Sequence, residues 1–208
     1  MPRSPTALRL AASAVAVLAM FVGSPAAGVA APRKPKSVQV ASSTFDADAD
    51  GWTINGEAQG PNPKASGGHP GGYVSATDPP STTGTSYWSA PSKFLGARNT
   101  SYKSKLTFDL RDSGPGRTFR EADVVLISGS MVLEYRQKRI PKSKRWTRFT
   151  VKFVKSRAWT DASTGRKATS LQLLQALAAL DALLIRGEFR NGAETFDLDN
   201  VVLYANAQ

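Results

Sequence analysis

The chain of 208 residues has no cysteine and a single histidine, His69. Without cysteine there is no disulfide framework, no thiolate nucleophile and no lipidated N-terminal cysteine. A lone histidine in the run Ser66-Gly67-Gly68-His69-Pro70-Gly71-Gly72 leaves no His-x-x-x-His metal pair. Neither a Gly-x-Ser-x-Gly elbow nor a phosphate-cradling glycine loop is present. Acidic residues are scarce, 16 against 27 Lys and Arg, and fall mostly at turns or strand ends. Catalysis is left only with a carboxylate pair of the glycosidase kind, whose spacing in space a sequence does not state. These shortages favour binding over chemistry.

Long apolar runs are equally scarce. The only one, Leu10 to Gly23, has 14 residues, short of the roughly 20 that cross a bilayer. Arg3 and Arg9 precede it, and Pro25 to Ala31 follows as small residues ending Val29-Ala30-Ala31. That order is a secretory signal cleaved near Ala31, with an uncleaved anchor as the alternative. Removing it leaves 25 basic and 16 acidic residues, a formal charge of +9. An exported surface of that sign favours anionic glycans or envelope polymers, and nucleic acid only non-specifically. Residues 32–43, rich in Pro, Lys and Ser, read as a basic tether, and 44–208 as one domain, large enough to fold without disulfides.

The domain reads as β. Leu106, Phe108 and Leu110 alternate with Thr107, Asp109 and Arg111, as in a half-buried strand. Met131, Leu133 and Tyr135 alternate likewise, as do Phe149, Val151 and Phe153; Val124 to Ile127 is a continuous apolar run. Ala182 to Phe189 and Phe196 to Tyr204 are further strands, and Asn191-Gly192 between them predicts a hairpin. One segment departs from this pattern. Thr169 and Gln172 form a capping box ahead of Leu173, Ala176, Leu177 and Leu180 at helical spacing, which predicts a short helix near 170–180. Eight or nine short strands with one helix predict an all-β sandwich or jelly roll.

Three stretches in order carry a resemblance. They are Tyr87 to Gly96 with Ser101-Tyr102 and Leu106 to Leu110; the leucine-rich helix running into Leu184-Ile185-Arg186-Gly187-Glu188-Phe189; and Leu198-Asp199-Asn200-Val201-Val202-Leu203. Together they resemble the laminin domain IV (laminin B) family. Phe45, Gly51-Trp52 and Gly71-Gly72-Tyr73 look like its secreted bacterial members. The resemblance implies an extracellular jelly-roll sandwich akin to carbohydrate-binding modules, with no established catalytic site. It implies framework roles for Trp88, Phe94, Leu95 and Ile185 in the core and for Gly96 and Gly187 at bends. The cysteine-rich repeats that flank the domain in animal laminins are missing here.

Two residue sets are candidate sites. Asp46, Asp48 and Asp50, with Gly51 and then Glu57, match a calcium-loop spacing, since alternate carboxylates can converge where glycine permits the turn. Pro61 and Pro63 exclude the second helix of an EF-hand, leaving a calcium loop on a sandwich or a solvated acidic turn. Asp197 and Asp199, two apart on a strand, are candidates to complete a structural Ca2+ shell. The second set is basic: ten Lys and Arg and no acid between Arg136 and Arg157. Arg136, Lys138, Arg139, Lys142, Lys144 and Arg145 crowd one loop beside Trp146, with Trp159 near a strand end. The expected function is a secreted, non-catalytic module in which the cations meet an anionic polymer and Trp146 or Trp159 stacks on sugar. The alternative is an interaction protein that grips a protein partner through a sheet face.

Overall fold

The computed structural model describes residues 37–80, 84–114 and 116–207. The signal sequence read at 1–31 and the start of the tether at 32–36 lie outside the described residues. The strands are β1 (Ser37–Ser43), β2 (Thr53–Asn55), β3 (Gln59–Lys64), β4 (Tyr73–Asp78), β5 (Tyr87–Ser89), β6 (Lys105–Asp112), β7 (Val124–Ser128), β8 (Met131–Tyr135), β9 (Thr147–Lys152) and β10 (Trp159–Asp161). Helix α1 (Ser170–Ala178), β11 (Ala182–Arg186) and β12 (Glu194–Asn206) follow. The front sheet runs β3-β4-β12-β6-β9, with β1 beside the second half of β12; the back sheet runs β10-β8-β7-β11-β5-β2. All the pairings are antiparallel.

The alternation in sequence becomes the division between core and surface. Leu106, Phe108 and Leu110 of β6, Phe149 and Val151 of β9, and Phe196 and Leu198 of β12 meet Val124, Leu126, Leu183 and Ile185 of the back sheet in one core. Trp52, Trp88 and Phe94 fill it with edge-on ring contacts, Trp52 to Phe94 at 5.3 Å and Trp88 to Phe196 at 5.3 Å. Gly187 supports this packing, because a Cβ there would fall into the buried Phe196 ring. Helix α1 is capped as expected: the Gln172 amide donates to the Thr169 hydroxyl, and the Gln172 side chain accepts from the Thr169 amide. Its buried side, Leu173, Ala176 and Leu177, closes the core, while Leu171 and Leu174 face solvent.

Two expectations change. Residues 37–43 are a strand, not tether: they pair with Val201 to Asn206, and Ala41 and Ser43 are buried. Their low apolar content suits an edge strand that buries only one end. Asn191-Gly192 joins no hairpin. β11 lies in the back sheet and β12 in the front, so this turn carries the chain across the sandwich. There the Glu194 carboxylate accepts from the Phe189 and Arg190 amides, and Arg190 pairs with the buried Asp112. Turn chemistry was legible, but the sheet receiving each strand depends on distant partners.

Candidate functional site

The outer face of the front sheet is built from the polar half of each alternation. Three rows cross it. In the first, Thr195 of β12 stands opposite Thr77 of β4, which is opposite Gln59 of β3, and Ser113 bonds to the Thr195 backbone. In the second, Arg111 is opposite Asp197, Asp197 opposite Ser75, and Ser75 opposite Asn62. In the third, Arg148 is opposite Asp109 and Asp109 opposite Asp199.

The glycine-rich loop folds over the middle of this face. The Gly67 carbonyl accepts from Trp146 Nε1 at 3.0 Å and from Arg111 Nη1 at 3.3 Å. The His69 amide donates to Asp199 at 2.6 Å, and His69 Nδ1 lies 3.1 Å from Asp109. Glycine is required at position 68, where a Cβ would meet the Gly71 and Gly72 carbonyls and the Asp199 carboxylate. Beside the loop stand Tyr73, Arg111 and Trp146. The Arg111 guanidinium carbon is 4.8 Å from the Tyr73 ring and 4.5 Å from the Trp146 ring, and the two rings meet edge-on at 5.5 Å. Arg111 Nε donates to Asp197 at 2.7 Å, which fixes the guanidinium against both rings. The result is a partly exposed aromatic shelf whose side chains are locked before any ligand arrives.

The carboxylates here serve as anchors. Burial alone would raise the Asp109 carboxyl, but bonds from Arg148, His69 and Asn200 outweigh it and hold it below the usual range. Arg148 reaches Asp109 with two 2.8 Å bonds. Asp199 is pushed up to about 6, first by burial, with the His69 and Asn200 amides pulling it down and the charges of Asp109 and Asp46 pushing it up.

Most of the expected metal set is engaged by other partners. Asp46 accepts from the Gly72 amide at 2.9 Å, Asp48 from the Asp50 amide at 2.6 Å, and Asp50 pairs with Lys93. Asp197 is taken by Arg111 and Asp199 by two amides, while Glu57 is exposed on the β2–β3 turn. Among the described residues no group of three or more His, Asp or Glu stands close enough to hold a metal ion.

The basic loop divides as well. Arg136 pairs with Glu134 at 3.0 Å and, with Lys138, lines a cleft beside the back sheet. Arg139 lies over the Phe149 ring at 5.6 Å, and Lys142, Lys144 and Arg145 are exposed next to Trp146. Trp159 is no ligand platform. It is fully buried, donates Nε1 to the Lys152 carbonyl and packs between Tyr135 and Phe153. Tyr73, Asp109, Arg111 and Arg148 were missed as site residues. The signal for Asp109 and Arg111 was present in the polar half of the Leu106 to Arg111 alternation; Arg148 stood in the basic run from Arg136 to Arg157, and Tyr73 in the Gly71-Gly72-Tyr73 stretch.

Two six-stranded sheets around one core, one of them carrying rings, a fixed guanidinium and hydroxyls on its outer face, define a β-sandwich. Residues 87–207 match the family model "Laminin B (Domain IV)", and the chain belongs to that family. It is 32% identical over 124 residues to the basement membrane proteoglycan of Caenorhabditis elegans, and 36% identical over 108 residues to the basement membrane-specific heparan sulfate proteoglycan core protein of Mus musculus. Those matches cover 60% and 50% of this chain but only 4% and 3% of the relatives' lengths. In fold it is similar to the L4b domain of human laminin alpha-2, with TM-score 0.53 and 15% identity over 63% of this chain and 79% of that one. It is also similar to the CBM22-1 xylan-binding domain of Paenibacillus barcinonensis Xyn10C, with TM-score 0.52 and 10% identity over 85% of this chain and all of that one. Among the described residues no helix is long and apolar enough to cross a membrane.

Proposed function

We propose that this is an exported, bacterial-type laminin B domain that binds glycan, without catalysing a reaction, on the outer face of its front sheet. The observation that carries the reading is the Tyr73–Arg111–Trp146 shelf, prearranged by Asp197 and Gly67 beside the hydroxyl row of Thr77, Thr195 and Ser113. Sugar rings present apolar faces that stack on aromatics and hydroxyls that pair with such a row. The commitment of Asp109 and Asp197 to arginines favours binding over hydrolysis, since a glycosidase needs carboxyls free to exchange protons. Lys142, Lys144 and Arg145 beside the shelf would add attraction for acidic polymers. Screening the purified protein against neutral and acidic polysaccharides tests the reading. Trp146→Ala should lose affinity about tenfold, the scale of a hot-spot ring. A protein that retains no glycan, or a variant that binds as well as the parent, sinks it.

A protein partner is the second reading. Val125 and Leu184, with Ala122, form a small apolar cluster apart from the core, packed with Tyr87, Ile127, Val132 and Ala182 on the outer side of the back sheet. Val132→Lys should abolish capture of such a partner and leave glycan binding unchanged; if it weakens glycan binding instead, the back sheet is not a separate surface. Calcium bracing of the first loop is a further proposal, supported by the depression that Asp46, Asp48 and Asp50 line together. An ion there would have to displace Lys93 from Asp50. A higher melting temperature in calcium than in chelator supports it, and identical melts refute it.

A further inference from the structure

Below the Asp109 row, the same sheet face carries a feature that the sugar shelf does not explain. The β6–β9 register sets Lys105 directly opposite Lys152, and both point outward because Leu106 and Val151 beside them are buried in the core. Like charges directly opposite on antiparallel strands repel, and such pairs are ordinarily avoided. Among the described residues no carboxylate relieves this one. Among the described residues neither lysine joins an ion pair, and the nearest acid along β6, Asp109, is saturated by Arg148, His69 and Asn200. Lys105 lies over the Tyr204 ring of β12 at 4.7 Å, so one ammonium is held above an aromatic surface. Lys103, at a left-handed backbone position with its amide bonded to the Phe153 carbonyl, and Lys155 add two exposed cations at this end of the sheet. The Thr107–Thr150 row separates the lysines from Arg148 and brings an exposed hydroxyl.

We infer that the Lys105–Lys152–Tyr204 row is an anion-binding site for the carboxylate or sulfate groups of an acidic polysaccharide. The inference rests on the glycan reading above and deepens it by naming the ligand class. The two lysines stand at directly opposed strand positions, one ammonium held over the Tyr204 ring, and an anion bound across them supplies the counter-charge that their register withholds. Strands place the pair more precisely than a loop places its lysines. The Tyr204 ring beside the charges suits a sugar that carries them. A bare phosphate chain would find cations there but little use for the ring at this spacing.

The test compares the parent with Lys152→Glu and Trp146→Ala, using dextran, dextran sulfate, polygalacturonate and single-stranded DNA at several salt concentrations. Lys152→Glu places a carboxylate opposite Lys105. It should therefore raise the melting temperature while lowering affinity for the two acidic polysaccharides about tenfold at low salt. Binding to any neutral glycan the parent holds should stay within about twofold. Unchanged affinity for the acidic polymers in Lys152→Glu overturns the inference, as does DNA held as tightly as polygalacturonate at equal salt. A melting temperature that falls overturns the claim that the pair repels. If Lys152→Glu loses the acidic polymers but Trp146→Ala keeps every ligand, the aromatic shelf fails as the sugar site and the lysine row stands alone. Retention of no polymer overturns both.

Discussion

The carboxyl of Glu194 should make this domain less stable as pH rises toward neutrality. Glu194 opens β12 pointing inward and is 2% exposed. One oxygen accepts from the Phe189 and Arg190 amides at 2.9 and 2.8 Å; the other is buried and has no hydrogen-bond partner among the described residues. The carboxyl is pushed up to about 7, first by burial and further by the charges of Asp112 and Glu188, against the pull of the two amides. The folded state therefore keeps a proton that the unfolded chain, with an ordinary carboxyl near 4.5, has lost. Between those values folding takes up that proton, so the contribution is whole below about 4.5 and is lost as pH climbs through about 7. A shift of that size corresponds to on the order of 3 kcal/mol at pH 8. Glu194→Gln keeps an oxygen for the two amides and removes the charge. Thermal melts from pH 4.5 to 8 should show the variant and parent nearly coincident at the acid end. They should separate by roughly 5–10 °C in favour of the variant at pH 8. A constant difference across that range, of either sign, would refute the argument, because only a titrating group yields a pH-dependent gap.

Other consequences follow from packing. Trp159→Ala should cost about 3–5 kcal/mol of stability, whereas Trp146→Ala should shift the melt by a few degrees at most; chemical denaturation of both variants separates the core ring from the surface ring. Gly187→Ala should destabilise by about 1–3 kcal/mol, since Phe196 is wedged against Trp88 and has no room to yield. Deleting residues 37–43 bares the Val201 to Asn206 edge and should produce concentration-dependent aggregation in light scattering; a monodisperse product would show that β1 guards nothing.

Much of the scaffold was legible because it is local. Leu106 to Arg111 declared its strand by period two, and Thr169 with Gln172 declared the start of the helix. The site was less legible. Trp146 and Trp159 were both read as candidate platforms for sugar; Trp146 is partly exposed, yet Trp159, equally near the basic stretch, is at the centre of the core. Proximity in sequence says nothing about which sheet face a residue joins. Asp197 and Asp199 were read as metal ligands because they share a strand face. Their partners, Arg111 and the His69 amide, come from segments 86 and 130 residues away, beyond any local pattern. The Gly67–Trp146 bond that holds the loop over the sheet spans 79 residues for the same reason.

The antiparallel pairing of Ser37 with Asn206 brings the two ends of the folded domain side by side. A unit whose entrance and exit adjoin can be spliced into a surface loop of another protein, or threaded as one bead among many, without stretching its host. The same closure makes it a good subject for circular permutation: a short linker from residue 206 back to 37, with a new opening at an exposed turn such as Gly129, should leave every strand where it is.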